Sequence, residues 1–300
     1  MKNDIVLITG PTASGKSKLA VDIARQCDGI IINADSMQVY DVLRLLTSRP
    51  SEKEKAGVAH YLYGFVNPRK AFSVGYWLSA VDDLFVSSRL IGKTCIFIGG
   101  SGLYFHALLG GLSSIPHIDA VVREKWRISL EKNGIRELYS ILLKKDPFLA
   151  KRLSSNDSQR IIRALEVLES TGYSITYWQN KPKKPFLDAM SIRKLVLEPT
   201  KNEIEERIHT RFELMLANGV IEEVKQLRMM NLNSELPVMK AIGVRELNAY
   251  LDGFLGIEEA VEKVKIATRG YAKKQMTWFR HQLDTGWQRL TSADSACFHL

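Results

Sequence analysis

Cysteine is scarce in this chain: three in 300 residues, Cys27, Cys95 and Cys297. They are far apart and form no C-x-x-C pair or Cys/His cluster, which argues against a zinc site and a disulfide framework. Cys95 sits inside an apolar run and reads as a small buried hydrophobe. No run approaches the roughly 18 apolar residues of a membrane span. The start, Met1-Lys-Asn-Asp4, leads into an apolar strand too short and too closely followed by glycines for a signal peptide. No membrane partner is expected, and the expected location is cytoplasmic. Internal repeats, heptad arrays and low-complexity tracts are absent, and monomer is the default expectation. Acidic residues are the minority charge, 33 against 42 Lys and Arg, for a net charge of +9. Such a balance attracts polyanions, whether nucleic acid, anionic membrane or phosphorylated substrate, although many soluble proteins are mildly basic without one. The remainder, 45% apolar and 25% charged, is ordinary for a globular chain able to bury one large core or two smaller ones.

Four apolar runs read as strands: Ile5-Val-Leu-Ile8, Gly29 to Asp35, Thr94 to Gly100, and Arg193 to Glu198. Helical stretches separate them, which predicts a parallel sheet flanked by helices on both faces. Ligands of such sheets bind past the carboxyl ends of the strands. That draws attention to 10–17, 35–38 and 99–104. Between Pro116 and Pro185 the strand pattern stops. Helices are predicted over Ala120 to Lys132, Ile135 to Lys144 and Asp157 to Thr171, the last with an N-cap among Asn156, Asp157 and Ser158 and a C-cap at Gly172. The expected fold class is therefore α/β: a parallel sheet core of the P-loop type, from 1–115 and 186–300, with a helical insertion domain at 116–185.

Gly10-Pro11-Thr12-Ala13-Ser14-Gly15-Lys16-Ser17 fits G-x-x-x-x-G-K-[ST] between a strand and a helix. Backbone N–H groups of such a loop wrap a phosphate, and the helix N-terminus adds its dipole. Lys16 supplies a positive charge, and the Ser17 hydroxyl can hold Mg²⁺. The metal-coordinating Asp that ends a strand in ordinary nucleotide hydrolases is missing after Ile98, where Gly99-Gly-Ser-Gly-Leu-Tyr104 follows instead. Asp35, in Asn33-Ala-Asp-Ser-Met-Gln-Val-Tyr40, follows the second strand. It suits a general base, or alternatively a water-mediated magnesium ligand. The cluster at Gly99 to Gly102 lets a ligand approach the backbone with the Ser101 hydroxyl nearby, or is a plain tight turn. Gln159, Arg160 and Arg163 share a helix face that fits phosphates or base edges, or is merely solvated. The same choice applies to Arg207 and Arg211, and to the basic and aromatic residues of Thr268 to Arg280.

Taken together, Gly10 to Ser17, Asn33 to Tyr40, Gly99 to Tyr104, Gln159 to Gly172, Met239 to Glu246 and Thr268 to Arg280 resemble the tRNA dimethylallyltransferases, in that family's order and over nearly the whole chain. The resemblance implies that the loop holds the pyrophosphate of dimethylallyl diphosphate, with Lys16 and an arginine, Arg211 or else Arg207, on the leaving group and Mg²⁺ at Ser17. It implies that Asp35 takes the N6 proton of a flipped adenosine 37 and that Ser101 bonds near the reacting base. It implies contacts with the tRNA anticodon stem-loop from Asp35, Ser36, Met37, Gln38, Ser101, Arg123, Gln159, Arg160, Ile161, Ile162, Arg163, Lys240 and Arg245. The acceptors it implies are tRNAs reading U-initial codons. Two positions and one segment depart from the family pattern. Ser101 stands where Thr is usual, Leu45-Leu-Thr-Ser-Arg-Pro50 replaces a Gly-Thr-Ala-Lys-Pro run, and Val244 replaces a Tyr. The competing expectations are a small-metabolite kinase using ATP and a non-catalytic RNA-binding protein.

Overall fold

The computed structural model describes residues 4–87, 90, 92–187 and 191–293; Cys297 lies outside them. By internal packing the chain divides into a larger unit, 1–109 with 186–300, and a smaller one, 110–185.

The larger unit opens with β1 (Ile5–Thr9), α1 (Lys16–Gln26), β2 (Ile30–Asn33), α2 (Glu52–Lys55), β3 (His60–Tyr61), α3 (Val74–Val86), β4 (Cys95–Gly99) and α4 (Gly102–Gly110). The smaller unit contributes α5 (Ala120–Lys145), α6 (Pro147–Ala150), α7 (Ser158–Thr171) and α8 (Ile175–Gln179). The larger unit resumes with β5 (Ile192–Leu197), α9 (Lys201–Ala217), α10 (Val220–Met229), a 3-10 turn (Pro237–Lys240), α11 (Val244–Leu251), α12 (Ile257–Gln282) and β6 (Gln288–Leu290). Among the described residues no helix is long and apolar enough to cross a membrane.

The sheet is parallel throughout, in the order β3-β2-β4-β1-β5-β6. β1 lies at its centre, with Ile5 opposite Cys95 on one side and Ile192 on the other. Its side chains alternate between two cores, as a two-residue period requires. Ile5 and Leu7 join Ile32, Phe97, Trp77 and Phe279 on one face, while Val6 and Ile8 join Leu19, Ile23, Ile96 and Leu195 on the other. The four apolar runs are four of the six strands. The other two, β3 and β6, are short and sit at the sheet's edges. Cys95 is fully buried in β4.

The smaller unit packs α5, α6 and α7 around Trp126, Leu138, Leu142, Leu149, Ile161 and Leu165. Gly134 takes φ 74° and ψ 171°, which breaks α5 where the sequence separates two helices. Asp157 caps α7 by accepting from the Arg160 N–H at 3.1 Å, and Gly172 closes it at φ 71°. Both caps are those expected.

Candidate active site

The carboxyl ends of β1, β2 and β4 face one cleft of about 570 Å³ within the larger unit. The loop after β1 forms one wall, with Thr12 to Ser17 all lining the cleft. Gly15 adopts φ 90°, the left-handed conformation glycine reaches without steric cost, and turns the chain into α1. The Ser14 N–H donates to the Pro11 carbonyl at 3.2 Å and closes the loop. Gly10 and Pro11, the buried start of the loop, do not line the cleft.

Cations converge on this loop. The Lys16 ammonium donates to the Pro11 carbonyl at 2.9 Å. One turn apart on α9, Arg207 donates to the Ser14 carbonyl at 3.0 Å and Arg211 to the Thr12 hydroxyl at 2.8 Å. Burial lowers the pKa of Lys16 to about 8, against the partial compensation of the Asp35 carboxylate and with a smaller push from Arg211. Burial likewise lowers Arg211, again opposed by Asp35. A pocket that holds two cations at such cost is built for an anion.

Asp35 belongs to the same cleft. Asn33, at the end of β2, locks the backbone there. Its side chain accepts the Asp35 N–H at 2.9 Å and donates to the carbonyls of Asp35 and Leu62, each at 3.0 Å. One Asp35 carboxylate oxygen accepts the Met37 N–H at 2.9 Å. Tyr63 and Tyr271 also line the cleft; burial first and the Asp35 charge second push both phenols up.

Ser101 lies behind the cleft lining. Its hydroxyl accepts the Ser36 N–H at 3.0 Å and donates to the Ser36 hydroxyl at 3.3 Å, so it meets the cleft through Ser36. Ser36, Met37, Gln38 and Lys240 line the cleft directly, whereas Arg245 is exposed outside it. In the smaller unit Arg123, Gln159 and Arg160 are exposed and Arg163 is half-buried. The Ile161 side chain is fully buried in that unit's core, so only its backbone is available to a partner. Ile162 is partly buried against the same core. On α12 the ambiguity between stacking and packing resolves residue by residue. Phe279 is core, Trp278 is partly buried against it, and Tyr271 faces the cleft.

Gln275, also on α12, escapes a reading by local motif. Its carbonyl oxygen accepts the Thr12 N–H at 2.8 Å and its amide nitrogen donates to the Gly100 carbonyl at 2.9 Å. One buried amide thus ties the phosphate-type loop to the second glycine cluster. Nothing in the spacing of Thr268 to Arg280 marks it.

The IPP transferase family model matches residues 38–282, and that of isopentenyl transferase matches 3–63. The chain belongs to the IPP transferase family. A tRNA dimethylallyltransferase of Bartonella tribocorum is 51% identical over 288 residues, 96% of this chain and 98% of the relative. One of a Chelativorans species is 50% identical over 290 residues, 97% of this chain and 99% of the relative. Among solved structures, the full-length tRNA isopentenylpyrophosphate transferase of Bacillus halodurans is 30% identical, with a TM-score of 0.68 over 96% of this chain and 90% of that one. A eukaryotic dimethylallyltransferase acting on tRNA is 27% identical, with a TM-score of 0.79 over 92% of this chain and 70% of that one. Both share the α/β fold described above. Membership of this transferase family removes the ground for the small-metabolite kinase reading, which rested on the phosphate loop alone.

Proposed function

We propose that the chain, as a tRNA dimethylallyltransferase, binds dimethylallyl diphosphate with its pyrophosphate on the Gly10 to Ser17 loop and transfers the dimethylallyl group to N6 of adenosine 37 in tRNAs reading U-initial codons. The observation that carries this reading is the convergence of Lys16, Arg207 and Arg211 on one loop, in the cleft that also holds Asp35. Dimethylallyl transfer to tRNA is the activity after which the 51% and 50% identical relatives are named.

In this reading N6 attacks the allylic carbon as the bond from that carbon to the diphosphate oxygen breaks. Lys16, Arg207 and Arg211 stabilise the charge that accumulates on the departing diphosphate. The Asp35 carboxylate accepts the proton released by N6, leaving the modified nucleoside and diphosphate. Met37 holds one carboxylate oxygen and Asn33 fixes the backbone on either side, so the base is oriented before substrate arrives. The adenine must leave its loop stack to reach this depth, at a cost of about a few kcal/mol. Arg123, Gln159, Arg160 and Arg163, with Lys240 and Arg245, supply backbone or edge contacts to the anticodon stem-loop.

Mg²⁺ fits the donor set. Ser17 is exposed at the first turn of α1 and lines the cleft, and the described residues contain no cluster of three or more His, Cys, Asp or Glu that would hold a metal without the substrate's oxygens. When bound, the ion neutralises phosphate charge and so favours loss of diphosphate.

The test supplies purified protein, Mg²⁺ and unmodified tRNA with labelled dimethylallyl diphosphate or with γ-labelled ATP. Label entering tRNA beside the anticodon, with ATP untouched, is the expected result. ATP consumption without prenyl transfer would overturn the reading. Asp35→Ala is expected to lose turnover while tRNA affinity is retained, and full activity in that variant removes Asp35 as the base.

A further inference from the structure

Residues 41–50 carry no helix or strand, yet Leu46, Thr47 and Ser48 line the cleft. Two residues of this segment, Leu43 at φ 56° and Ser48 at φ 55°, occupy the left-handed region without being glycine. A strained segment persists only where its surroundings hold it, and such strain gathers at binding sites.

Four side chains hold it by its backbone, one of them Thr47, whose hydroxyl donates to the Leu43 carbonyl at 2.6 Å. The Glu223 carboxylate, in the first turn of α10, accepts the N–H groups of Leu45 and Leu46 at 2.8 and 2.9 Å, one on each oxygen. Gln38 donates to the carbonyls of Thr47 and Ser48 at 2.9 and 3.1 Å. Arg49 reaches back to the carbonyls of Tyr40 and Asp41 at 2.6 and 3.2 Å, and the Glu223 charge partly offsets the cost of burying its guanidinium. Leu43 and Leu46 anchor the turn in the core. The Ser48 hydroxyl oxygen is buried and, among the described residues, has no hydrogen-bond partner. A buried hydroxyl left unpaired costs free energy until a polar partner reaches it.

We infer that Leu43 to Arg49 is a preorganised wall for the nucleotide acceptor and that Glu223 is the positioning residue that sets its shape. The inference rests on the reading that this cleft receives a tRNA adenosine. The cations of the phosphate-type loop lie on other elements, so the wall acts on the RNA and not on the diphosphate. Glu223 touches neither substrate; it acts through the amides of Leu45 and Leu46.

The test compares Glu223→Gln and Glu223→Ala with the wild-type chain and with Glu222→Gln, an exposed neighbour paired to Lys225. Loss of two charge-assisted bonds is expected to raise the KM for tRNA, and the Kd for an unmodified anticodon stem-loop measured without diphosphate, by about tenfold in Glu223→Ala. Glu223→Gln keeps one acceptor and is expected to fall between. The KM for dimethylallyl diphosphate is expected to stay unchanged, and Leu45 and Leu46 amide exchange to accelerate. Equal losses for both substrates, or unchanged stem-loop binding with faster amide exchange, overturn the inference. The stem-loop Kd remains decisive even if the wild-type chain transfers no prenyl group, which separates this failure from failure of the proposed reaction. Should Glu223→Ala not fold, Glu223→Gln carries the same comparison.

Discussion

In the proposed reaction Lys16 has two tasks that pull against each other: it would present a positive charge to the diphosphate, and it sits where burial resists that charge. The free chain therefore loses the Lys16 proton near pH 8, where an exposed lysine would keep it to about 10.5. The unfolded chain holds more protons in that window, so this group's contribution makes folding more favourable as pH rises from 8 towards 10.5. Substrate capture goes the other way. The kcat/KM for dimethylallyl diphosphate, which reports free-enzyme groups, is expected to fall as pH climbs through 8, and Lys16→Arg is expected to remove that inflection. A profile flat to pH 10 in the wild-type chain removes Lys16 from diphosphate capture. Gln275 gives a sharper residue-level test. In Gln275→Glu the acceptor for the Thr12 N–H survives, but a carboxylate oxygen then faces the Gly100 carbonyl where an N–H had donated. A buried donor lost in this way costs about 1–3 kcal/mol. The expected result is a lower urea midpoint together with a raised diphosphate KM. A drop in stability with the KM intact limits Gln275 to a packing role.

The elements differ in how far they can be read from residues alone. β1, β2 and β4 are nearly continuous apolar runs because both faces of a central parallel strand are covered, and β5 is apolar only in its buried second half, Leu195 to Leu197. β3 and β6, two and three residues long at the edges, have too little apolar sequence to show a period. The break at Gly134 and the caps Asp157 and Gly172 were legible because each acts within a turn of its own position. Gly99, at the end of β4, shows what the pattern cannot express. A Cβ there would meet the Ala34 carbonyl oxygen at 2.0 Å, backbone of the segment that carries Asp35. Neither side of that approach is a flexible side chain, so the strand ends would have to part. Gly99→Ala is expected to destabilise the fold by at least about 2 kcal/mol, the upper part of the overpacking range, and to lower turnover with it. A variant with the wild-type urea midpoint contradicts that close approach.

At the scale of the whole molecule the cleft joins parts of the chain that are remote in sequence. Gln275 reaches Thr12 across 263 positions, Arg211 reaches Thr12 across 199, and Glu223 reaches Leu45 across 178. The loop, Asp35 and the glycine cluster were legible because each carries its chemistry in contiguous residues after a strand. Gln275 and Glu223 were not, because a single amide or carboxylate on a helix acquires its meaning only from what folds against it. The net charge of +9 is likewise a property of the whole. Arg160 spends its charge on an exposed ion pair with Asp157 at 3.4 Å, and half-buried Arg163 pairs at 3.2 Å with Glu166, whose side chain is buried. The exposed Arg160–Asp157 pair is worth little and yields readily to a phosphate. Each neutralised phosphate adds about 0.7–0.9 to the slope of log affinity against log salt. Arg123→Gln, Arg160→Gln and Arg163→Gln together are therefore expected to flatten that slope for tRNA by that amount for each phosphate no longer neutralised, with the diphosphate KM unchanged because no residue of 110–185 lines the cleft. If the triple variant keeps the wild-type slope, these arginines are solvated surface, and the basic surplus that attracts RNA has to be sought on the larger unit, beginning with Lys240, Arg245, Lys273 and Lys274.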